Sequence, residues 1–173
     1  MRILFVSVAL AGAIARTAST QQPSFAGRWA AASDTTAPGR GPVTGNPGSG
    51  WGTPLMIAQD DSRLVVEYPY FSRYDMQPPL KFTFALDGTE TKNAVMMGLG
   101  VQEQFSRAAW TGSTLVITTR YVAANPESAG DSLRVEVKRR LSLESPTRLI
   151  VETTRGGVLG GPPSTTRTVY TKQ

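Results

Sequence analysis

Apolar residues alternate with polar ones through most of this chain, and they seldom recur at the spacing of a helix. Leu64, Val66 and Tyr68 share one parity, as do Leu80, Phe82, Phe84 and Leu86. Leu133, Val135, Val137, Leu141 and Leu143 hold another unbroken phase. A period of two places successive side chains on opposite faces of an extended strand, so each run predicts a strand with one buried face. Strands are expected over residues 28–32, 55–58, 64–68, 80–86, 102–110, 114–121, 132–143, 148–154 and 165–171, about nine or ten in all. Asp60-Asp61-Ser62, Asp87-Gly88, Thr111-Gly112 and Ser145-Pro146-Thr147 supply turn chemistry between them. Short links make neighbouring strands antiparallel. An all-β meander of this length leaves raw edges unless it closes, so a single antiparallel β-barrel of about eight to ten strands is expected. A two-sheet sandwich is the alternative.

Two stretches interrupt the alternation. Ten Gly or Pro residues fall between Pro38 and Pro54, so residues 33–54 read as a long irregular loop, of a length that is usually functional or mobile. A second loop is expected from Gly156-Gly157 to Pro163.

The N-terminus follows a different pattern. Met1-Arg2 precedes an uncharged, mostly apolar run from Ile3 to Ile14, and small residues follow. This predicts a signal peptide over residues 1–20, cleaved after Ala15 or near Ala18-Ser19, ahead of a barrel domain over 25–173. The apolar run falls short of the roughly 20 residues a membrane span needs. The expected product is exported, to a bacterial periplasm or the medium, with no membrane span after cleavage. With no Cys in the chain, the core must hold without disulfides, which favours a periplasm over a eukaryotic extracellular setting.

Composition removes whole classes of chemistry. There is no His and no Cys, which excludes Ser-His-Asp triads, thiolate nucleophiles and metal or haem sites built on those ligands. No phosphate-binding Gly-rich Lys-Ser/Thr loop occurs. Neither a cofactor nor a metal is expected. The net charge of +5 is spread with alternating sign, unlike the clustered basic face that nucleic acid requires. Asp60-Asp61 reads as a turn, with too few converging oxygens for calcium. Met96-Met97 reads as core filling, because no His accompanies it towards a copper site.

Three features remain. Arg139 occupies the inward parity of the otherwise apolar Leu133–Leu143 run. A buried cation asks for a carboxylate or an acidic ligand; at the barrel mouth its stem would bury while its head stayed in water. Tyr70, Phe71 and Tyr74 belong to an aromatic cluster at a strand end, where an open barrel has its rim, and could grip an apolar ligand. Glu103 and Arg107 share a face with Phe105: they enter the barrel if Phe105 does, and are solvated if Ala108 and Trp110 point inward.

Phe25-Ala26-Gly27-Arg28-Trp29 resembles the first-strand signature of lipocalin-like (calycin-type) barrels. Leu86-Asp87-Gly88, Trp110 to Ile117, Arg148 to Val151 and Thr168 to Lys172 are similar, in that order, to small exported bacterial lipocalin-like domains. The resemblance implies that Gly27 and Trp29 are structural, with Trp29 plugging the closed end under an Arg from a late strand, for which Arg167 is the match. The Thr-Asp-Tyr triplet of lipocalins is absent, as is a C-terminal helical pattern.

The expected function is binding of a small apolar or amphipathic molecule, with any carboxylate facing Arg139, and no catalysis. A filled barrel acting through its loops on an envelope partner is the alternative. An enzyme using a carboxylate or Tyr for acid–base work ranks third, on fold analogy alone. The oligomeric state is not legible.

Overall fold

The computed structural model describes residues 22–32, 49–69, 78–97, 100–124, 130–156 and 162–173. They form ten strands: β1 (Gly27–Ala31), β2 (Leu55–Gln59), β3 (Arg63–Tyr68), β4 (Leu80–Ala85), β5 (Thr91–Met97), β6 (Gly100–Thr111), β7 (Thr114–Ala124), β8 (Ser132–Ser145), β9 (Arg148–Arg155) and β10 (Ser164–Lys172). All adjacent pairs are antiparallel, in the order β4-β3-β2-β1-β10-β9-β8-β7-β6-β5. The chain is thus a meander in which β1 pairs with both β2 and β10. No helix occurs among the described residues.

The two outermost strands, β4 and β5, meet to make the barrel nearly closed. Their junction uses a side chain where other pairs use backbone. Asn93 Oδ1 accepts from the Thr83 amide at 2.7 Å, and Asn93 Nδ2 donates to the Thr83 carbonyl at 3.0 Å. One amide group therefore stands in for a strand rung and satisfies both backbone groups of Thr83 at an edge that would otherwise lie open. Strand β5 was not among the predicted strands. Met96, expected in the core, lies on the outer face and is half exposed.

Antiparallel alternation sorts the barrel's two ends. At one end the strands join through short turns. In the first of these, Asp60 Oδ1 accepts from the amide and hydroxyl of Ser62, which holds its carboxyl below the usual range. At the other end lie the strand termini joined by residues 32–54, 69–79, 98–99, 125–131 and 156–163. The turn end is sealed by aromatics. Trp29 is fully buried and donates from Nε1 to the Phe25 carbonyl at 2.8 Å, while Phe25 stacks on Trp110 at 5.6 Å.

The cation over Trp29 is Lys172, with Nζ 5.4 Å from the ring, and not Arg167. Parity explains the difference. Thr168 and Tyr170 point inward and Lys172 follows their phase beside Trp29, its register partner. Arg167 points outward to Glu144 at 3.3 Å. Gly27 is required here: its φ is +141°, and a Cβ would stand 2.7 Å from Lys172 Cε.

Candidate functional site

The register builds the interior in layers. Trp110, Leu115, Leu141, Val151 and Thr168 line one diagonal row, the first four of them apolar. One step towards the mouth the row reads Ala108, Ile117, Arg139, Thr153 and Thr166. The next reads Ser106, Thr119, Val137, Arg155 and Ser164. The wall thus turns from apolar to hydroxyl- and guanidinium-bearing as it rises. Ser106 and Thr119 are both buried and hydrogen-bond to each other at 3.0 Å.

The apolar half is full. Residues 49–52, the end of the predicted loop, dip into the barrel, and Trp51 is 1% exposed against Phe84. Four consecutive carbonyls of this segment accept hydrogen bonds from the wall or from within the segment. Ser49 O takes Arg139 Nε at 2.9 Å and Thr153 Oγ1 at 3.0 Å. Gly50 O takes the Tyr68 hydroxyl at 3.2 Å. Trp51 O takes Ser49 Oγ at 3.1 Å and the Tyr170 hydroxyl at 3.3 Å, and Gly52 O lies 3.4 Å from that same hydroxyl. A peptide buried in a barrel must find partners for its carbonyls, and these wall donors provide them.

The glycines make the fit possible. Gly50 has φ +78°, and a Cβ there would meet Arg139 Nη2 at 2.6 Å and Arg155 Nη2 at 2.9 Å. At Gly52 a Cβ would meet the Tyr68 ring at 2.7 Å and the Pro69 carbonyl at 2.8 Å. Both positions exclude a side chain.

Arg139 is 9% exposed, so its head is withdrawn from water. Its guanidinium lies over Trp51, 5.0 Å from the ring centroid. Burial, with the neighbouring charge of Arg155 adding to it, lowers its pKa to about 10. Nearby Tyr68, Tyr121 and Tyr170 oppose that shift. Burial also pushes the Tyr170 phenol up to about 12, against its hydrogen bond to Ser49 Oγ at 2.7 Å. Among the described residues, no carboxylate lies within ion-pair distance of Arg139 or Arg155. Two guanidinium nitrogens therefore converge on one spot beside Gly50, with a neutral carbonyl as the hydrogen-bond acceptor of Arg139.

The other sequence candidates fall elsewhere. Tyr70, Phe71 and Tyr74 lie outside the described residues. Tyr68, their neighbour, is buried and stacks on Phe82 at 5.9 Å. Ala108 and Ser106 point inward, so Glu103, Phe105 and Arg107 face out. Glu103 pairs with Lys92, and Arg107 with Glu90 at 3.4 Å. No group of three or more acidic side chains that could hold a metal occurs among the described residues. Strands β6 to β8 outrun the others towards the mouth, and a cleft of about 1120 Å³ takes its lining from both their faces, including Gln102, Tyr121 and Val135 inside and Phe105, Val122 and Arg134 outside.

Two groups entered the site without a sequence signal. Ser49, Gly50 and Trp51 sit in a long Gly- and Pro-rich loop in which nothing marks these residues as the ones that enter the barrel, and Arg155 closes a strand whose apolar phase ends before it. No protein-family model matches the chain, and no curated protein matches it.

Proposed function

We propose that this is an exported, lipocalin-like binding barrel that holds a small molecule by an acidic group at the mouth-facing side of Arg139 and Arg155, without turning it over. The observation that carries the reading is the convergence of two guanidiniums beside Gly50 with no carboxylate within ion-pair distance among the described residues. A cation withdrawn from water is costly, and an anion bridging two guanidiniums relieves both the desolvation and their mutual repulsion. Trp51 and the segment that carries it fill the barrel below this level, which makes the site shallow. The ligand lies above the guanidiniums, among Tyr121, Gln104 and Val135, and not in a deep apolar well.

The test uses a matched pair of probes, octanoate and octanol, titrated into refolded, ligand-free protein and followed by tryptophan fluorescence, since Trp51 lies against Arg139. Octanoate is expected to bind the wild type at least tenfold more tightly than octanol, and Arg139→Leu and Arg155→Gln are each expected to erase that preference. Equal loss of both probes on Arg139→Leu would show that the charge does not recognise the acid. No binding of either would leave the barrel as a scaffold acting through its outer surface. Native mass spectrometry of protein purified from its own host would identify any ligand that copurifies.

A further inference from the structure

Most surface apolar groups on a small domain are scattered singly, and a cluster of them marks a contact surface. Five large apolar side chains stand exposed among the described residues, and four of them, Met96, Val101, Phe105 and Val122, lie on the outer face of β5, β6 and β7. Val101 and Val122 are 63% and 57% exposed, and Met96 is the cross-strand partner of Val101.

The charges around them follow a pattern. Lys92 pairs with Glu103, and Arg120 with Glu90 at 2.7 Å, so those four are satisfied within the sheet. Arg134, directly across from Val122, and Glu136, directly across from Arg120, have no opposite charge within 4.0 Å among the described residues. They are of opposite sign, two residues apart on one face of β8, and both exposed.

We propose that this outer face pairs with a second copy of the chain about a two-fold axis. A two-fold contact brings the same patch against itself. When two copies of β8 cross in opposite directions over such an axis, Arg134 meets Glu136 of the partner subunit, and the reciprocal pair forms by symmetry. The same approach covers Val122, the cross-strand partner of Arg134. A generic acidic or basic partner would match only one of the two free charges, whereas an identical copy matches both. The cleft at the mouth ends of β6, β7 and β8 is lined from both faces, and its outward lining, Phe105, Val122 and Arg134, gives the partner's apolar groups room to seat.

Light scattering coupled to size exclusion, with sedimentation velocity across the micromolar range, tests it on the full mature chain. The wild type is expected to move from one to two copies with rising concentration. Val122→Glu is expected to remain monomeric. Arg134→Glu, which sets two acids against each other, is expected to weaken the association at least tenfold. The double exchange, Arg134→Glu with Glu136→Arg, is expected to restore it to within a few-fold. Thermal melts verify that each variant is folded. A wild type that is monomeric throughout overturns the proposal. So does a double exchange no better than Arg134→Glu alone, because only a self-matching contact predicts the rescue.

Discussion

Replacing Arg139 by Met separates a residue kept for stability from one kept for binding. Burial lowers the pKa of Arg139 from its ordinary range to about 10. At about 1.4 kcal/mol per pH unit, the charged form therefore carries a burden of about 3 kcal/mol in the folded protein. Met keeps much of the stem's apolar volume and removes that burden. It also removes the hydrogen bond to Ser49 O, worth about 1.5–3 kcal/mol for a charged donor, and the stacking on Trp51, worth about 0.5–2 kcal/mol. The carbonyl is not orphaned, because Thr153 Oγ1 still donates to it at 3.0 Å. The losses come to about 2–5 kcal/mol against about 3 kcal/mol relieved, so Arg139→Met is expected to lie between about 1 kcal/mol above and about 2 kcal/mol below the wild type. The assay is urea unfolding at neutral pH on refolded, ligand-free protein, followed by tryptophan fluorescence. Thr153→Val alone is expected to cost about 1 kcal/mol, since Arg139 then covers the carbonyl. The double variant leaves Ser49 O without either donor and is expected to cost at least 1 kcal/mol more than the two single effects together. A loss above about 2 kcal/mol for Arg139→Met alone would refute the reasoning and make Arg139 an anchor for the inserted segment.

Further expectations follow from other particular contacts. Asn93→Leu strips two hydrogen bonds from Thr83 at the barrel seam and is expected to lower stability by about 2–4 kcal/mol, or roughly 5–15 °C in a thermal melt; a loss under 1 kcal/mol would mean the seam is held elsewhere. Tyr170→Phe is expected to cost about 1–2 kcal/mol at neutral pH through the lost contact with Ser49. The phenol's folded pKa, about 12, lies above its ordinary value of 10, so the stability it confers is complete below pH 10 and is lost as pH rises towards 12. The gap between wild type and Tyr170→Phe should therefore fall by about 1.4 kcal/mol per pH unit across that window, closing and then reversing before pH 12, and a constant gap would contradict the burial of the phenol. Lys172→Ala is expected to alter the near-ultraviolet dichroism of Trp29, while Arg167→Ala, which breaks only a half-exposed ion pair, should leave that signal in place and change stability by less than about 1 kcal/mol. Gly50→Ala is expected to displace the inserted segment and raise the susceptibility of residues 49–52 to protease, because neither the positive φ nor the two guanidiniums leave room for a methyl group.

The barrel was legible wherever one face of a strand is uniformly apolar. Leu64, Val66 and Tyr68, or Leu80, Phe82 and Phe84, have a parity that admits one reading, and they are buried as expected. Strand β5 escaped because its inward positions include the polar Asn93, while its exposed face carries Met96. A strand that closes a barrel through a side-chain amide has no reason to show apolar alternation. Arg139 was legible for the opposite reason: the phase around it is unbroken, so the backbone carries the guanidinium inward whatever its cost. Arg167 was assigned by resemblance, and its parity relative to Thr168 and Tyr170 already pointed outward. The Ser49–Gly52 segment had no signature of its own. Its Gly residues serve close approach to Arg139, Arg155 and Tyr68, and such a fit depends on partners from 16 residues away (Gly52 to Tyr68) to 105 (Gly50 to Arg155), which no local pattern encodes.

A filled barrel and a binding barrel are usually opposed, yet the inserted segment makes this barrel filled while the proposed function asks it to bind. It removes the deep apolar well, and with it the reason to expect a ligand of the sort a hollow calyx encloses. It does so with a neutral carbonyl, which can accept a hydrogen bond from Arg139 but cannot cancel its charge. For folding alone, an apolar side chain at 139 would serve about as well, because Thr153 already holds Ser49 O and Trp51 already fills the space beneath. What an apolar residue could not supply is positive charge next to Arg155 at the boundary between the filled half and the polar half. The position of that charge, and not the volume of any cavity, is what carries the proposal of the mouth as a site of recognition.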